Sequence, residues 1–234
     1  DFDHFVVGTH NNFAHATARA VANAPARAYN PLFIYSDVGL GKTHLVNAIA
    51  NQVLRQDPRA RIIYTNSEDF TDELVHAIQN NAINAFRTRY KSVDMLVVDD
   101  VQFLSGKERA QEEFFHIFNA LFQSKRQIVV TSDRPPKDIA HLENRLRSRF
   151  GAGVIVDIAA PDYETRAAIL NREIQASELG IDPAIASLIA GRVDSNVREL
   201  KGALNQVVAM RAIMGMDVTE DAVRQMLDSR YAKA

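Results

Sequence analysis

The sequence predicts an α/β fold: a five-stranded parallel sheet with helices on both faces, followed by a small helical domain. Three observations predict it. Up to about residue 160, short apolar runs alternate with longer amphipathic stretches, and strands alternating with helices give a parallel sheet covered on both sides. Past Ile158 no convincing strand run remains and only helical spacing continues. The 234 residues suffice for one large domain with a small satellite.

The strands are expected at Leu32–Tyr35, 61–65, Met95–Asp99, 127–131 and 153–158, each a short run rich in Val, Ile, Leu, Phe or Tyr. Helical patterns fall between them at 43–55, Ser67–Gln79, 84–90 and Glu108–Gln123. In the tail, Asp162 caps a helix expected to run to about Glu178. Asp182-Pro183 is an N-cap followed by proline at the first helical position. Ser195-Asn196 caps Val197–Met214, and Thr219 caps a last helix to about Arg230. The expected division is 1–160 for the α/β domain and 161–234 for the small helical domain, with Pro161 at the hinge.

Composition excludes several classes. An apolar share of 47% and a charged share of 24% belong to an ordinary globular chain. No apolar run approaches the roughly 20 residues of a membrane span. With no cysteine, disulfides and thiolate metal sites are impossible, which fits the reducing cytoplasm expected as its location. Asp1-Phe2-Asp3-His4 carries no secretory pattern, and the missing initiator Met fits a piece of a longer chain. The net charge of −2 argues against a dedicated duplex-DNA module, because such affinity comes from neutralising phosphates. The seven histidines are scattered, with no His-Glu-x-x-His, and no Gly-x-Ser-x-Gly is present.

One motif carries the chemistry. Directly after Leu32–Tyr35 comes Ser36-Asp37-Val38-Gly39-Leu40-Gly41-Lys42-Thr43. This is a phosphate-binding loop between strand and helix, with Ser36 where the pattern has its first glycine. Gly39 and Gly41 let the backbone wrap an anion; Val38, Leu40 and His44 share that wrap. Lys42 reaches the outer phosphates of ATP or ADP, and Thr43 offers a hydroxyl to Mg²⁺. Two departures are expected to weaken binding: Asp37 adds a carboxylate near the anion, and Ser36 resists a positive φ if the loop needs one. Glycine at both positions is expected to tighten it.

Met95–Asp99 followed by Asp100 is an apolar strand delivering two carboxylates to the sheet's carboxyl edge. Asp99 is expected to hold Mg²⁺, partly through water, and Asp100 to orient or polarise the attacking water. Alone, such a pair is also a common turn former. The next strand end offers Asp133 as a sensor of the terminal phosphate, with Thr131 and Ser132 as alternatives. Asn144-Arg145-Leu146-Arg147-Ser148-Arg149-Phe150 places three arginines on one helical turn. Arg149 is the candidate arginine finger for a neighbouring subunit, and Arg145 a second contact across that interface. Arg198 is placed to fold back onto the nucleotide phosphates.

Together these segments resemble the AAA+ P-loop domain of the DnaA family of bacterial replication initiators. Thr131-Ser132-Asp133-Arg134-Pro135-Pro136, Arg145–Phe150 and Ser195-Asn196-Val197-Arg198-Glu199-Leu200, in this order, carry the resemblance. It implies a slow ATPase acting as a switch, whose ATP form assembles head-to-tail into a helical filament on the replication origin and helps open the duplex. It implies Asp133 and Arg198 as the two sensors and Val75, Lys107 and Arg109 as single-stranded DNA contacts; read alone, Lys107 and Arg109 are a solvated loop. Adenine is expected near Phe5, Val6, Val7 and Gly8, with Asn11 and Asn12 as further partners. Box-specific duplex binding is expected outside this chain, and a replicative helicase or regulatory proteins are possible partners. Two other readings stay open: a helicase loader or initiator-inactivating regulator, and a non-catalytic nucleotide-gated adaptor.

Overall fold

The computed structural model describes residues 1–177, 180–214 and 218–231. The chain runs through a 3-10 turn Phe2–His4, α1 (Asn12–Asn23), β1 (Leu32–Tyr35), α2 (Lys42–Gln56), β2 (Ile62–Asn66), α3 (Ser67–Gln79), α4 (Ile83–Lys91) and β3 (Met95–Asp99). A 3-10 turn Val101–Leu104 leads to α5 (Glu108–Gln123), β4 (Gln127–Ser132), a 3-10 turn Pro136–Asp138, α6 (Asn144–Phe150) and β5 (Val154–Asp157). Four helices follow: α7 (Tyr163–Ser177), α8 (Ala184–Arg192), α9 (Val197–Met214) and α10 (Glu220–Tyr231). The expected helix end at Glu178 lies outside the described residues.

The five strands form one parallel sheet in the order β2-β3-β4-β1-β5. In this open order, ligand crevices form outside the carboxyl ends of the strands, where Tyr35, Asp99 and Ser132 sit. β3 and β4 are buried along their whole length, as strands covered on both faces must be. On one face Phe33, Leu96, Val98, Ile128 and Val130 pack with Phe70, Phe114, Phe118 and Phe150 into the main core. Helices α1 and α2 pack together against the sheet, and the alternate strand positions point the other way.

Helix α1 has no counterpart in the sequence reading. Its buried stripe is Ala14, Thr17, Ala18, Val21 and Ala22: the spacing is helical, but alanine gives little apolar contrast. Strand bounds also shift in three strands: 61–65 becomes Ile62–Asn66, 127–131 becomes Gln127–Ser132 and 153–158 becomes Val154–Asp157. The strand expected from Gly153 begins at Val154, whose N–H donates to Pro31 C=O at 3.0 Å and which lies opposite Leu32, the first residue of β1. The strand expected to end at Thr131 continues to Ser132, which pairs with Tyr35.

The amino end of the sheet is closed by an amide cluster of buried Gln127 and half-buried Asn30. Gln127 is fully buried, and its Oε1 accepts from Ala26 N–H at 2.7 Å while Nε2 donates to Tyr29 C=O at 3.1 Å. Asn30 Nδ2 donates to Arg126 C=O at 2.8 Å, and Asn30 Oδ1 accepts from Ile128 N–H at 2.9 Å. The connection between α1 and β1 is thereby satisfied without regular structure.

By its contacts the fold divides into two compact units. The first holds Asp1–Phe5, Asn12–Asp37 and Lys42–Ile158; the second holds Val6–Asn11, Val38–Gly41 and Ala159–Ala234. The second unit has its own core of Leu170, Ile185, Ile189, Leu200, Val207, Val223 and Leu227 among others. Asp162 caps as the sequence suggests, its Oδ1 accepting from Thr165 N–H at 2.8 Å, but at α8 the N-cap is Pro183 rather than Asp182, whose Oδ1 accepts from the first helical N–H, Ala184, at 2.8 Å. Asn196 Oδ1 accepts from Glu199 N–H at 2.8 Å, and Thr219 Oγ1 from Ala222 N–H at 3.3 Å. No helix among the described residues is long and apolar enough to cross a membrane.

Candidate nucleotide site

Ser36 leaves β1 with its N–H donating to Ser132 C=O at 3.2 Å, so the loop starts as an extension of the β1–β4 pairing. The left-handed backbone falls on Gly39 (φ 81°) and Gly41 (φ 108°), not on Ser36 or Asp37. The steric objection to Ser36 therefore does not arise. Ser36 is buried and Asp37 exposed. The Lys42 ammonium donates to Ser36 C=O at 2.8 Å, Ser36 Oγ at 3.2 Å and Asp37 C=O at 3.2 Å. All three of its protons thus have acceptors in the loop. Burial lowers the Lys42 pKa, opposed by the carboxylates of Asp100, Asp99, Asp133 and Asp37.

Asp99, 7% exposed at the end of β3, is held by three hydroxyls. Thr43 Oγ1 donates to its Oδ2 at 3.0 Å and Tyr64 OH to the same oxygen at 2.6 Å. Thr131 Oγ1 donates to Oδ1. Burial, then the bond to Asp99, push the Tyr64 phenol well above its ordinary pKa, so it remains a donor. Thr43 and Asp99, 56 residues apart in sequence, are brought together as expected. Asp100 follows with left-handed backbone (φ 56°, ψ 54°). Its N–H donates to Thr131 Oγ1 at 2.9 Å, and its C=O accepts from Ser67 Oγ at 2.9 Å. Gln102 Nε2 donates to Asp100 Oδ1 at 3.1 Å. Asp133 is doubly bonded by its neighbour Arg134, Nε to Oδ1 and Nη2 to Oδ2, both at 2.8 Å. Those bonds hold its carboxyl below the usual range.

The remaining candidates lie elsewhere. His44 Nε2 contacts Asp1 C=O at 3.0 Å, and its ring meets Phe5 edge-on. On α6, Arg147 donates to the carbonyls of Pro136, Ile139 and Leu142, fixing the preceding connection. Arg145 pairs with Glu143 and lies 4.7 Å over the Phe115 ring. The Arg149 guanidinium lies 6.0 Å from the Phe122 ring and, among the described residues, makes no side-chain hydrogen bond or ion pair. Lys107 precedes α5, and Arg109 pairs with Glu112 at 3.3 Å. Val75 is 45% exposed on α3, which packs against the Val101–Leu104 turn.

In the second unit, Val38 is 59% exposed and Leu40 buried. A Cβ on Gly39 would lie 2.9 Å from Asn196 Oδ1 and 3.1 Å from Arg198 Cβ. The loop's apex and the start of α9 are therefore in contact. Gly8 is equally crowded: a Cβ there would lie 2.4 Å from Thr165 Oγ1. Val7 is exposed. Asn11 is committed to its own turn, its Oδ1 accepting from Gly8 N–H and its Nδ2 donating to Val6 C=O, both at 3.0 Å.

Sequence reasoning missed Tyr64, Ser67 and Gln102. One signal was available for Tyr64: a phenol near the carboxyl end of an apolar strand, beside the strand that ends in two acids.

Comparison with known proteins gives the family. A family model described as the bacterial DnaA ATPase domain matches residues 1–157. The structure of domain III from the Thermotoga maritima replication initiation protein DnaA is 40% identical, with a TM-score of 0.95, over 99% of this chain and 97% of that one. AMPPCP-bound DnaA from Aquifex aeolicus is 37% identical (TM-score 0.85), over 97% of this chain and 69% of that one. A DnaA bound to AMPPCP and single-stranded DNA is 36% identical (TM-score 0.86), over 98% and 68%. The Thermotoga maritima RuvB branch-migration motor, 19% identical at a TM-score of 0.68, shares the fold alone. The chain belongs to the bacterial DnaA ATPase domain family, the P-loop core of a replication initiator.

Proposed function

We propose that this chain binds ATP or ADP with Mg²⁺, hydrolyses ATP slowly, and uses the bound nucleotide as a switch for assembly on origin DNA. The observation that carries the reading is the 3.0 Å approach of Thr43 Oγ1 to Asp99 Oδ2 beside the buried Lys42. One hydroxyl and one carboxylate are the sparse set by which Mg²⁺ is held when phosphates and water complete its shell. Among the described residues no group of three or more His, Cys, Asp or Glu side chains could hold a metal alone, as expected for a cation that arrives with its nucleotide. Four carboxylates act on the single Lys42 ammonium, so a polyphosphate needs a cation to enter. Bound Mg²⁺ supplies that charge and polarises the phosphates.

Lys42 exchanges its loop acceptors for phosphate oxygens, and the amides of residues 38–41 cradle the anion. Asp100 polarises the attacking water, Asp133 senses the terminal phosphate and Arg198, beside Gly39, senses the nucleotide from the helical unit. The adenine lies near Val7 and Gly8. Residues 1–160 act as the nucleotide-binding domain and 161–234 as its lid. Arg149, with only the Phe122 ring as partner in its own chain among the described residues, reaches the nucleotide of the next protomer, with Arg145 as a second contact. Such a heterologous contact propagates as an open array. Val75, Lys107 and Arg109 contact single-stranded DNA within it, as support from the relative bound to that ligand suggests.

The test is sedimentation with ATP or ADP, with and without single-stranded DNA, on the parent, Lys42→Ala and Arg149→Ala proteins. ATP alone should drive assembly of the parent. Lys42→Ala should lose ATP binding, and Arg149→Ala should keep it while losing assembly. Arrays that persist in Arg149→Ala would refute the trans role.

A further inference from the structure

The Asp100 main chain is fixed at both ends by hydroxyls, but its side chain has one hydrogen bond among the described residues. That bond comes from Gln102 Nε2, at 3.1 Å. The other end of the same amide, Oε1, accepts from Asp133 N–H at 3.3 Å. The amide orientation is forced, since the carboxylate only accepts and the backbone N–H only donates. Gln102 lies on the Val101–Leu104 turn, whose Val101 and Leu104 side chains are fully buried in the main core. The turn's far end is also anchored: Leu104 C=O accepts from the buried Gln111 Nε2 at 2.9 Å. A rigid turn therefore carries one amide that spans the ends of β3 and β4.

We propose that Gln102 is a positioning residue for ATP hydrolysis, fixing one oxygen of Asp100 so that the other faces the attacking water, and tying that carboxylate to the Asp133 strand end. The proposal rests on the reading of Asp100 as the water-polarising group. Asp100 Oδ2 has no hydrogen-bond partner among the described residues, as that task requires. Without Gln102 the carboxylate turns about its Cα–Cβ and Cβ–Cγ bonds, and the fraction aimed at water falls.

The experiment compares full-chain Gln102→Met, which keeps length and loses both hydrogen bonds, with Gln102→Glu, which keeps the acceptor for Asp133 N–H and loses the donor. Dissociation constants for ATP and ADP are read with fluorescent nucleotides, and hydrolysis by single turnover with saturating protein. Both variants should hydrolyse about 10-fold more slowly, the worth of one hydrogen bond to a charged group. The nucleotide affinity of Gln102→Met should stay within about 2-fold of the parent, since Gln102 acts in the chemical step, while Gln102→Glu, which adds a carboxylate, should weaken it by about 3-fold. Parental hydrolysis in Gln102→Met, or affinity and rate falling together in both variants, would overturn the positioning role. Asp100→Asn is the control for the underlying reading: parental hydrolysis there removes Asp100 from the chemistry, whereas slow Asp100→Asn beside normal Gln102 variants removes Gln102 alone.

Discussion

Replacing Thr131 with valine should damage the site while leaving its volume nearly unchanged. The Thr131 hydroxyl, fully buried, donates to Asp99 Oδ1 and accepts from Asp100 N–H at 2.9 Å. Valine leaves that amide unsatisfied, at about 1–3 kcal/mol, and removes a donor from an ionised carboxylate, at about 1.5–3 kcal/mol. An added buried methyl returns about 1 kcal/mol. The net loss is about 3 kcal/mol, or a fall in Tm of roughly 6–12 °C for a cooperative unit of this size. Thr131→Ser keeps both hydrogen bonds and loses one methyl, costing about 1 kcal/mol. Thermal unfolding by calorimetry should therefore rank parent above serine above valine, whereas hydrophobicity alone would place valine first and serine last. A valine variant as stable as the parent, or more stable than the serine variant, would refute the assignment of that hydroxyl to both partners.

Three further outcomes follow from other parts of the structure. Glu113 is 1% exposed and held by Arg87 from two nitrogens, which keeps its carboxyl below the usual range. That pair stabilises the fold above the unfolded carboxylate pKa of about 4.3 and loses its contribution as pH falls through the folded value. Arg87→Met strands the buried charge and should cost about 3 kcal/mol at pH 7, the low end for a pair whose arginine is one-third exposed; in the variant burial without a partner favours the protonated Glu113, so the deficit should narrow at pH 4.5 in urea titrations, and a constant deficit would contradict this. Lys107→Ala with Arg109→Ala should weaken single-strand binding by assembled protein and reduce its log–log salt slope by about 1.4, the value for two lost phosphate contacts. An unchanged slope returns both residues to the solvated loop. Asp37→Gly should tighten ATP binding about 3-fold by removing one exposed carboxylate, read by nucleotide titration. Ser36→Gly should add nothing to that, because Ser36 Oγ helps hold Lys42.

The sheet was legible in the sequence because parallel strands buried on both faces are continuous apolar runs, as Met95–Asp99 and Leu32–Tyr35 are. The phosphate loop was legible because its geometry is local: glycines sit where φ must be positive, four and two residues from the helix's second residue. Helix α1 was hidden by alanine. Tyr64, Ser67 and Gln102 were hidden for another reason, since each acts on the Asp99-Asp100 pair, Tyr64 and Gln102 on its carboxylates and Ser67 on its backbone carbonyls. Tyr64 and Ser67 reach it across the β2–β3 pairing, where Asn66 lies opposite Asp99. Gln102 reaches it because Asp100 turns the chain back on itself. No spacing rule in one dimension encodes those meetings. Arg147 shows the converse: three arginines looked alike in sequence, and one is consumed by backbone carbonyls.

The amide cluster of Gln127 and Asn30 sits at the opposite end of the same strands from Asp99 and Ser132. A polar residue near one rim and a polar residue near the other thus answer to different demands. In a scan that scores cellular abundance and ATP turnover separately, substitutions of Gln127 or Asn30 should deplete the protein while leaving each surviving molecule competent. Substitutions of Asp100 should leave abundance high and molecules idle. A short β4 strand of six residues would then read, from end to end, as a gradient from folding to chemistry.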